Sequence, residues 1–394
     1  MIKTTTLEHL SVELVHEIFI YFQFHEVFNT FSNLNSRFAA IVSDILSLIP
    51  VYLGLNGISI AVTEFYFTHL TQSRICSRLM SLCVSDTLAI DNGLWLATHL
   101  STFIRLRHLS LIDIKRSSFE LMLNTTLPNT SLVLFSIRYT EYYRAVYTFE
   151  GVPEGTYYER IFHLFPSLRK CYFRFEHDNY NIIDHQITLP FGKTFMPIQT
   201  SLLKLQSIVL RHCSLGFLSH LLEHLPQLQD LSLEISTPWL PGKHPLRRDD
   251  KNRISSIDKR LAPNLRRLKI NPGNNLRDVP PLDQLFERNV WFSLANFTLL
   301  GNVTGSHVVH NLLSMLCDQC LYMFVVSWYV MTPVSLSDTS VILLDTFRRL
   351  KGRVPVELEL SLYKNYYSIR ALTIPRIDKS LSAYSYLNKN TVRG

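Results

Sequence analysis

"LEHLPQLQDLSL", Leu222–Leu233, decides how the chain folds. The first residues suit a helix, and Pro226 stops it. A proline removes a helix donor and pushes the residue before it toward extended backbone. Leu231 and Leu233 then alternate with Asp230, Ser232 and Glu234, as in a strand with one buried face. Together with Leu228 they spell L-x-x-L-x-L. The same wording, with aliphatic or aromatic substitutes, recurs at Leu79 ("LMSLCV"), Leu106 ("LRHLSL"), Leu132 ("LVLFSI"), Leu168 ("LRKCYF"), Leu205 ("LQSIVL"), Leu265 ("LRRLKI"), Leu294 ("LANFTL") and Leu321 ("LYMFVV"). "FHLFPSL" and "KRLAPNL" repeat the proline as well.

Successive copies start 27, 26, 36, 37, 23, 37, 29 and 27 residues apart. Periods in the twenties are those of leucine-rich repeats, and the longer ones imply insertions. The insertions are expected at 139–158, 177–200 and 236–260. The repeat's Asn-or-Cys position holds Cys213 and Asn302 in two copies. Elsewhere it holds Thr87, Ile114, Thr140, Glu176, Ser236, Gly273 and Tyr329, so the ladder is interrupted and the solenoid irregular. The fold class is α/β, with a parallel sheet on the concave face and helices on the convex face. Repeats are expected over 74–365, with 354–363 ("VPVELELSLY") closing the sheet, and a tail over 366–394. The apolar run "CLYMFVVSWYVM", Cys320–Met331, is too short to span a bilayer and suits a buried strand.

If the last two apolar positions of each copy point inward, the residues between them point to the other face. That stripe offers Arg138, Lys170, Tyr172, Arg174, Arg211, Glu234, Arg267 and Lys269 as candidate substrate-binding residues. Its plain reading is a solvated polar face. Its functional reading is a groove preferring acidic or phosphorylated partners, which Arg and Lys suit.

The first fifty residues have a different texture. Ser11 is a helix N-cap and Glu13 favours the first turn. Leu14, Ile18 and Tyr21 form one stripe; Val15, Phe19 and Phe22 form a second beside it. One helix face in a core needs a single stripe. A second helix is expected over His25–Asn33 and a third from Ser36 to Pro50, with 51–73 as a connecting helix or linker.

"LSVELVHEIFIYFQFHEVFNTFSNLNSRF", Leu10–Phe38, resembles an F-box. Leu10, Glu13, Leu14, Ile18, Phe19, Tyr21 and Phe22 follow the family's wording, and Phe38 after Arg37 stands near its late aromatic position. Ser11 stands where the family usually has Pro, and Phe22 where it usually has Leu. The resemblance implies a three-helix F-box over 1–50 that docks on a Skp-type adaptor and a cullin ligase core. Leu10, Ser11, Glu13, Leu14, Ile18, Phe19, Tyr21 and Phe22 would make that contact. It further implies a receptor whose repeats bring an unidentified protein substrate to ubiquitination. The alternative is a repeat scaffold with no ligase role.

The 394 residues include 18% charged and 47% hydrophobic ones, which excludes a disordered chain. Residues 1–50 are acidic (Glu8, Glu13, Glu17, Glu26 and Asp44 against Lys3 and Arg37), although the whole chain carries +7. No nucleic acid or membrane is expected as a partner. The cysteines are scattered and no signal segment is visible, which suggests a reduced, cytoplasmic or nuclear protein. His307, His310, Cys317 and Cys320 are competent ligands in the wrong order for a zinc finger, so no metal is expected. "RRDDKNR", Arg247–Arg253, reads as a solvated loop. No P-loop, nucleophile elbow, dinucleotide fingerprint or H-E-x-x-H occurs, so neither an enzyme nor a cofactor is expected.

Overall fold

The structure, a computed structural model, describes residues 6–55, 58–86, 90–125, 131–139, 154–174, 204–213, 225–235, 263–272, 295–303, 323–330, 356–363 and 366–373. Among the described residues its contacts divide the chain into two compact units, with the boundary between Leu228 and Gln229.

The first unit opens with α1 (Val12–Phe19), α2 (Phe24–Phe31) and α3 (Ser36–Ile45). Then come β1 (Val51–Leu53), α4 (Ile60–Leu70), α5 (Ser73–Cys76), β2 (Ser81–Ser85), α6 (Asn92–His99) and β3 (His108–Ile112). It continues with α7 (Arg116–Thr125), β4 (Leu134–Arg138), α8 (Glu154–Leu164), β5 (Lys170–Arg174) and β6 (Ser207–Cys213). β1 to β6 pair in chain order, all parallel. Parallel neighbours need a crossover, and helices supply it between β1 and β5.

Burial follows the L-x-x-L-x-L spacing closely. The leading Leu79, Leu106, Leu132, Leu168 and Leu205 are at most 2% exposed. The inward strand pairs Leu82/Val84, Leu109/Leu111, Phe135/Ile137, Cys171/Phe173 and Ile208/Leu210 are equally buried. Phe173 meets Tyr158 and Phe162 of α8, with ring centroids 4.7 and 6.0 Å away. Just after each leading leucine one carbonyl takes two bonds from the next copy. The Met80 carbonyl accepts from the N–H of Arg107 (2.9 Å) and His108 (3.0 Å), and the Arg107 carbonyl from Val133 (2.8 Å) and Leu134 (2.9 Å). Val133 and Arg169 repeat the arrangement, so the turns are stitched before the strands begin.

A buried polar knot closes the other end of β2 and β3. The Asp86 carboxylate accepts from the backbone N–H of Gly93 (2.8 Å) and Lys115 (2.9 Å). Burial outweighs these donors and pushes its pKa up to about 6. Asn92 Nδ2 donates to the Ser85 carbonyl at 2.6 Å. Gly54 takes a φ of +74° beside them, and an added Cβ would lie 2.1 Å from the Ser85 carbonyl oxygen.

In the second unit β7 (Asp230–Ile235), β8 (Arg267–Pro272), β9 (Asn296–Val303) and β10 (Met323–Val330) pair in parallel. β12 (Tyr366–Thr373) lies antiparallel to β10, and β11 (Val356–Tyr363) pairs with the far side of β12. Leu231, Leu233, Leu268 and Ile270 are again at most 2% exposed.

The fold is therefore α/β with parallel sheet and helices. Several boundaries differ from expectation. β1 lies inside the stretch read as linker, 51–73. β12 falls in the stretch read as tail: Tyr366 follows Tyr363 after two residues, so the alternation of β11 turns back on itself. Residues 154–158, read as insertion, begin α8 and bury Tyr157 and Tyr158. The expected insertions 177–200 and 236–260, "RRDDKNR" and the His307–Cys320 stretch lie outside the described residues.

Candidate functional site

Ser11 caps α1, its hydroxyl oxygen accepting from the Leu14 N–H at 3.4 Å. The Glu13 carboxyl is held below its usual value, first by its own backbone N–H and then by Ser11. Two side chains of α1, Val15 and Phe19, are 0% exposed. Phe19 packs tilted against Phe31 of α2 (ring centroids 4.7 Å), and Phe31 against Phe38 of α3 (5.7 Å). This is the bundle's core.

The other side of α1 is apolar and open. Leu14 is 53%, Phe22 45% and Tyr21 83% exposed, and Ile18 is partly exposed. With Leu10 and Glu17 they line a groove of about 560 Å³. In water such a patch is unfavourable unless something covers it.

Arg37 fixes the segment leading into this groove. Its guanidinium donates to the carbonyls of Glu8 and Leu10. Asn35 supports it, donating to Glu8 Oε1 at 3.1 Å and capping α3 by accepting from the Phe38 N–H at 3.0 Å. Behind the bundle, Phe24 and Phe28 of α2 meet Phe65 of α4 (6.5 and 5.3 Å). His25 Nδ1 lies 3.2 Å from the Tyr66 hydroxyl, whose pKa burial raises to about 12.

Of the residues expected on the docking surface, Leu10, Leu14, Ile18, Tyr21 and Phe22 meet in the groove, with Ser11 and Glu13 exposed at its head. Phe19 does not belong there: it is a core side chain that supports the surface from beneath. Phe22 separates from the Val15/Phe19 stripe because α1 ends at Phe19 and the chain turns, Phe22 N–H bonding the Phe19 carbonyl at 3.0 Å. The Arg37 clamp was not anticipated as a site residue; the signal was its place one residue before the buried Phe38.

The candidates on the strands spread over both units. In the first, Arg138 and Arg174 are exposed register partners on β4 and β5. Tyr172 is half-buried between Ser136 and Val209, and Lys170 is exposed at the start of β5. Arg211 is a position on β6. In the second unit, Glu234 is a position on β7, and Lys269 is exposed on β8 between Ser232 and Thr298. Arg267 is already occupied: it pairs with Asp230 through both carboxylate oxygens, Nη2 to Oδ2 at 2.7 Å.

Burial raises the thiol pKa of Cys83 and Cys171, which keeps them protonated and unreactive. Among the described residues no cluster of three metal-binding side chains occurs, and no helix is long and apolar enough to cross a membrane. No protein-family model and no curated protein matches the chain.

Proposed function

We propose that the chain is a substrate receptor. Its three N-terminal helices act as an F-box-like module on a Skp-type adaptor, and its α/β part is an irregular leucine-rich-repeat solenoid that carries a target protein to ubiquitination. One observation carries this reading: the open apolar groove formed by Leu10, Leu14, Ile18, Tyr21 and Phe22 on a helix whose opposite face is sealed in the bundle. The F-box-like wording of Leu10–Phe38 gives the groove its occupant. On this reading the protein does no chemistry itself; it raises the target's effective concentration beside the ligase.

The test is co-purification of the full chain with a Skp-type adaptor. Fully burying a Leu or Ile side chain contributes roughly 1.5–3 kcal/mol. About half of Leu14 is already covered, so Leu14→Ala with Ile18→Ala should weaken binding by about 2 kcal/mol, roughly thirtyfold. Retention equal to that of the unchanged chain would remove the docking assignment and leave a repeat scaffold.

A further inference from the structure

The end of the sheet where the strands start carries a second surface, distinct from α1 and from the strand face. A groove of about 750 Å³ runs along the turns that precede β3 to β6. Arg105, Arg107, His108, Arg169 and Lys204 line it, with Met80 and Val133 among its apolar walls. All five basic side chains are exposed, and none has an ion-pair partner among the described residues. Nearby Arg78 differs, since Asp44 neutralises it.

The fold makes this convergence. Each copy places one residue before and one after its buried leading leucine at the strand-starting edge: Arg105 and Arg107 around Leu106, Arg169 after Leu168, Lys204 before Leu205. The stitched carbonyls of Met80, Arg107, Val133 and Arg169 hold those backbones in register. Parallel strands lie about 4.8 Å apart, so Arg169 and Lys204 come from copies one spacing apart and Arg107 from about 10 Å beyond Arg169, across a copy that presents Ser131 and Val133. Like charges this close repel, and an anion between them relieves the repulsion.

We propose that this edge binds an extended acidic segment of a partner protein, its carboxylates or phosphates held by Arg105, Arg107, Arg169 and Lys204. From β3 to β6 the cationic edge spans three strand spacings, about 14 Å, the length of about four extended residues. Arg107 and Arg169, two strands apart, suit planar two-point pairing with carboxylate or phosphate oxygens. A nucleic acid fits less well, because among the described lining residues His108 is the one ring and there is no Phe, Tyr or Trp on which successive bases could stack. Taken with the proposed receptor role, the segment would belong to the target; the assay below contains no adaptor, so its outcome and that of the docking test are independent.

Two fluorescein-labelled probes, hexaglutamate and a hexapeptide with alternating phosphoserines, are titrated with the full chain and read by anisotropy. At least one should bind, more weakly as salt rises. Arg107→Glu with Arg169→Glu should lower that affinity at least tenfold with the melting temperature unchanged. Arg74→Glu with Arg160→Glu, exposed on α5 and α8 away from the edge, should leave it within a factor of two. The proposal falls if neither peptide binds, if the edge variant binds as tightly as the unchanged chain, or if the helix variant loses as much affinity as the edge variant. It also falls if only single-stranded RNA or anionic vesicles bind through the edge.

Discussion

Asp86 sets burial against hydrogen bonding. Its carboxylate is 2% exposed and receives two backbone N–H donors, from Gly93 and Lys115. Those donors favour the charged form; burial favours the neutral one and wins, raising the pKa from 3.8 to about 6. A pKa shift of one unit corresponds to about 1.4 kcal/mol, so the shift corresponds to about 3 kcal/mol. The sign follows from proton counting. Between pH 4 and 6 the folded state holds a proton that the unfolded chain releases. The site's stabilisation is fully present below pH 3.8 and lost as pH rises through about 6. Asp86→Asn keeps the shape, removes the titration and leaves one N–H facing the amide nitrogen. The unchanged protein should therefore lose up to about 3 kcal/mol against the Asn variant between pH 4 and pH 7. Hydrogen exchange of peptides covering α6 reads this locally, because Gly93 sits in its first turn. A difference that stays flat over that range, or one that grows in favour of Asp86 with rising pH, would refute the dominance of burial and show that the two donors decide.

Two further substitutions separate core from surface and strain from packing. Phe19→Ala should cost about 3–5 kcal/mol of bundle stability, as for large core truncations, whereas Leu14→Ala should cost no more than about 1.5 kcal/mol, since Leu14 is 53% exposed; thermal melting of both variants checks the contrast. Gly54→Ala should lower the urea midpoint sharply, because a φ of +74° costs an L-residue about 1–2 kcal/mol and the new Cβ would overlap the Ser85 carbonyl and Asn92 Nδ2.

The strands from β2 to β8 were legible because each obeys a period of two with one sealed face, and because the leading leucine, from Leu79 to Leu265, is buried as tightly as the strand pair. β1 escaped that wording for a physical reason. "VYLGLN", Val51–Asn56, holds the strand half of the repeat, and Val51 and Leu53 are 0% exposed. The residue three before Val51 is Leu48, which is 55% exposed. Its place is taken by Leu46 at the end of α3, 1% exposed, whose carbonyl accepts the Met80 N–H at 3.4 Å. The helical bundle thus supplies the cap that a preceding repeat would otherwise supply. A search for complete copies passes over a strand whose leading position is lent by a helix.

The surfaces were legible in a different way. Periodicity along α1 counted apolar side chains correctly but could not divide them, because helical spacing was carried past Phe19, where the helix stops. Once the chain turns there, Phe22 joins Leu14 and Ile18, and the open face gains an aromatic while the core keeps Phe19. The basic edge was hidden for the opposite reason. Arg105, Arg107, Arg169 and Lys204 are scattered over a hundred residues, and only parallel pairing in sequence order collects them. Their common trait is visible in the sequence only after the leading leucine is known to be buried: a cation beside it has nowhere to go but the strand-starting edge. An inward position can be read from a local pattern, whereas a binding surface built across copies needs the register as well.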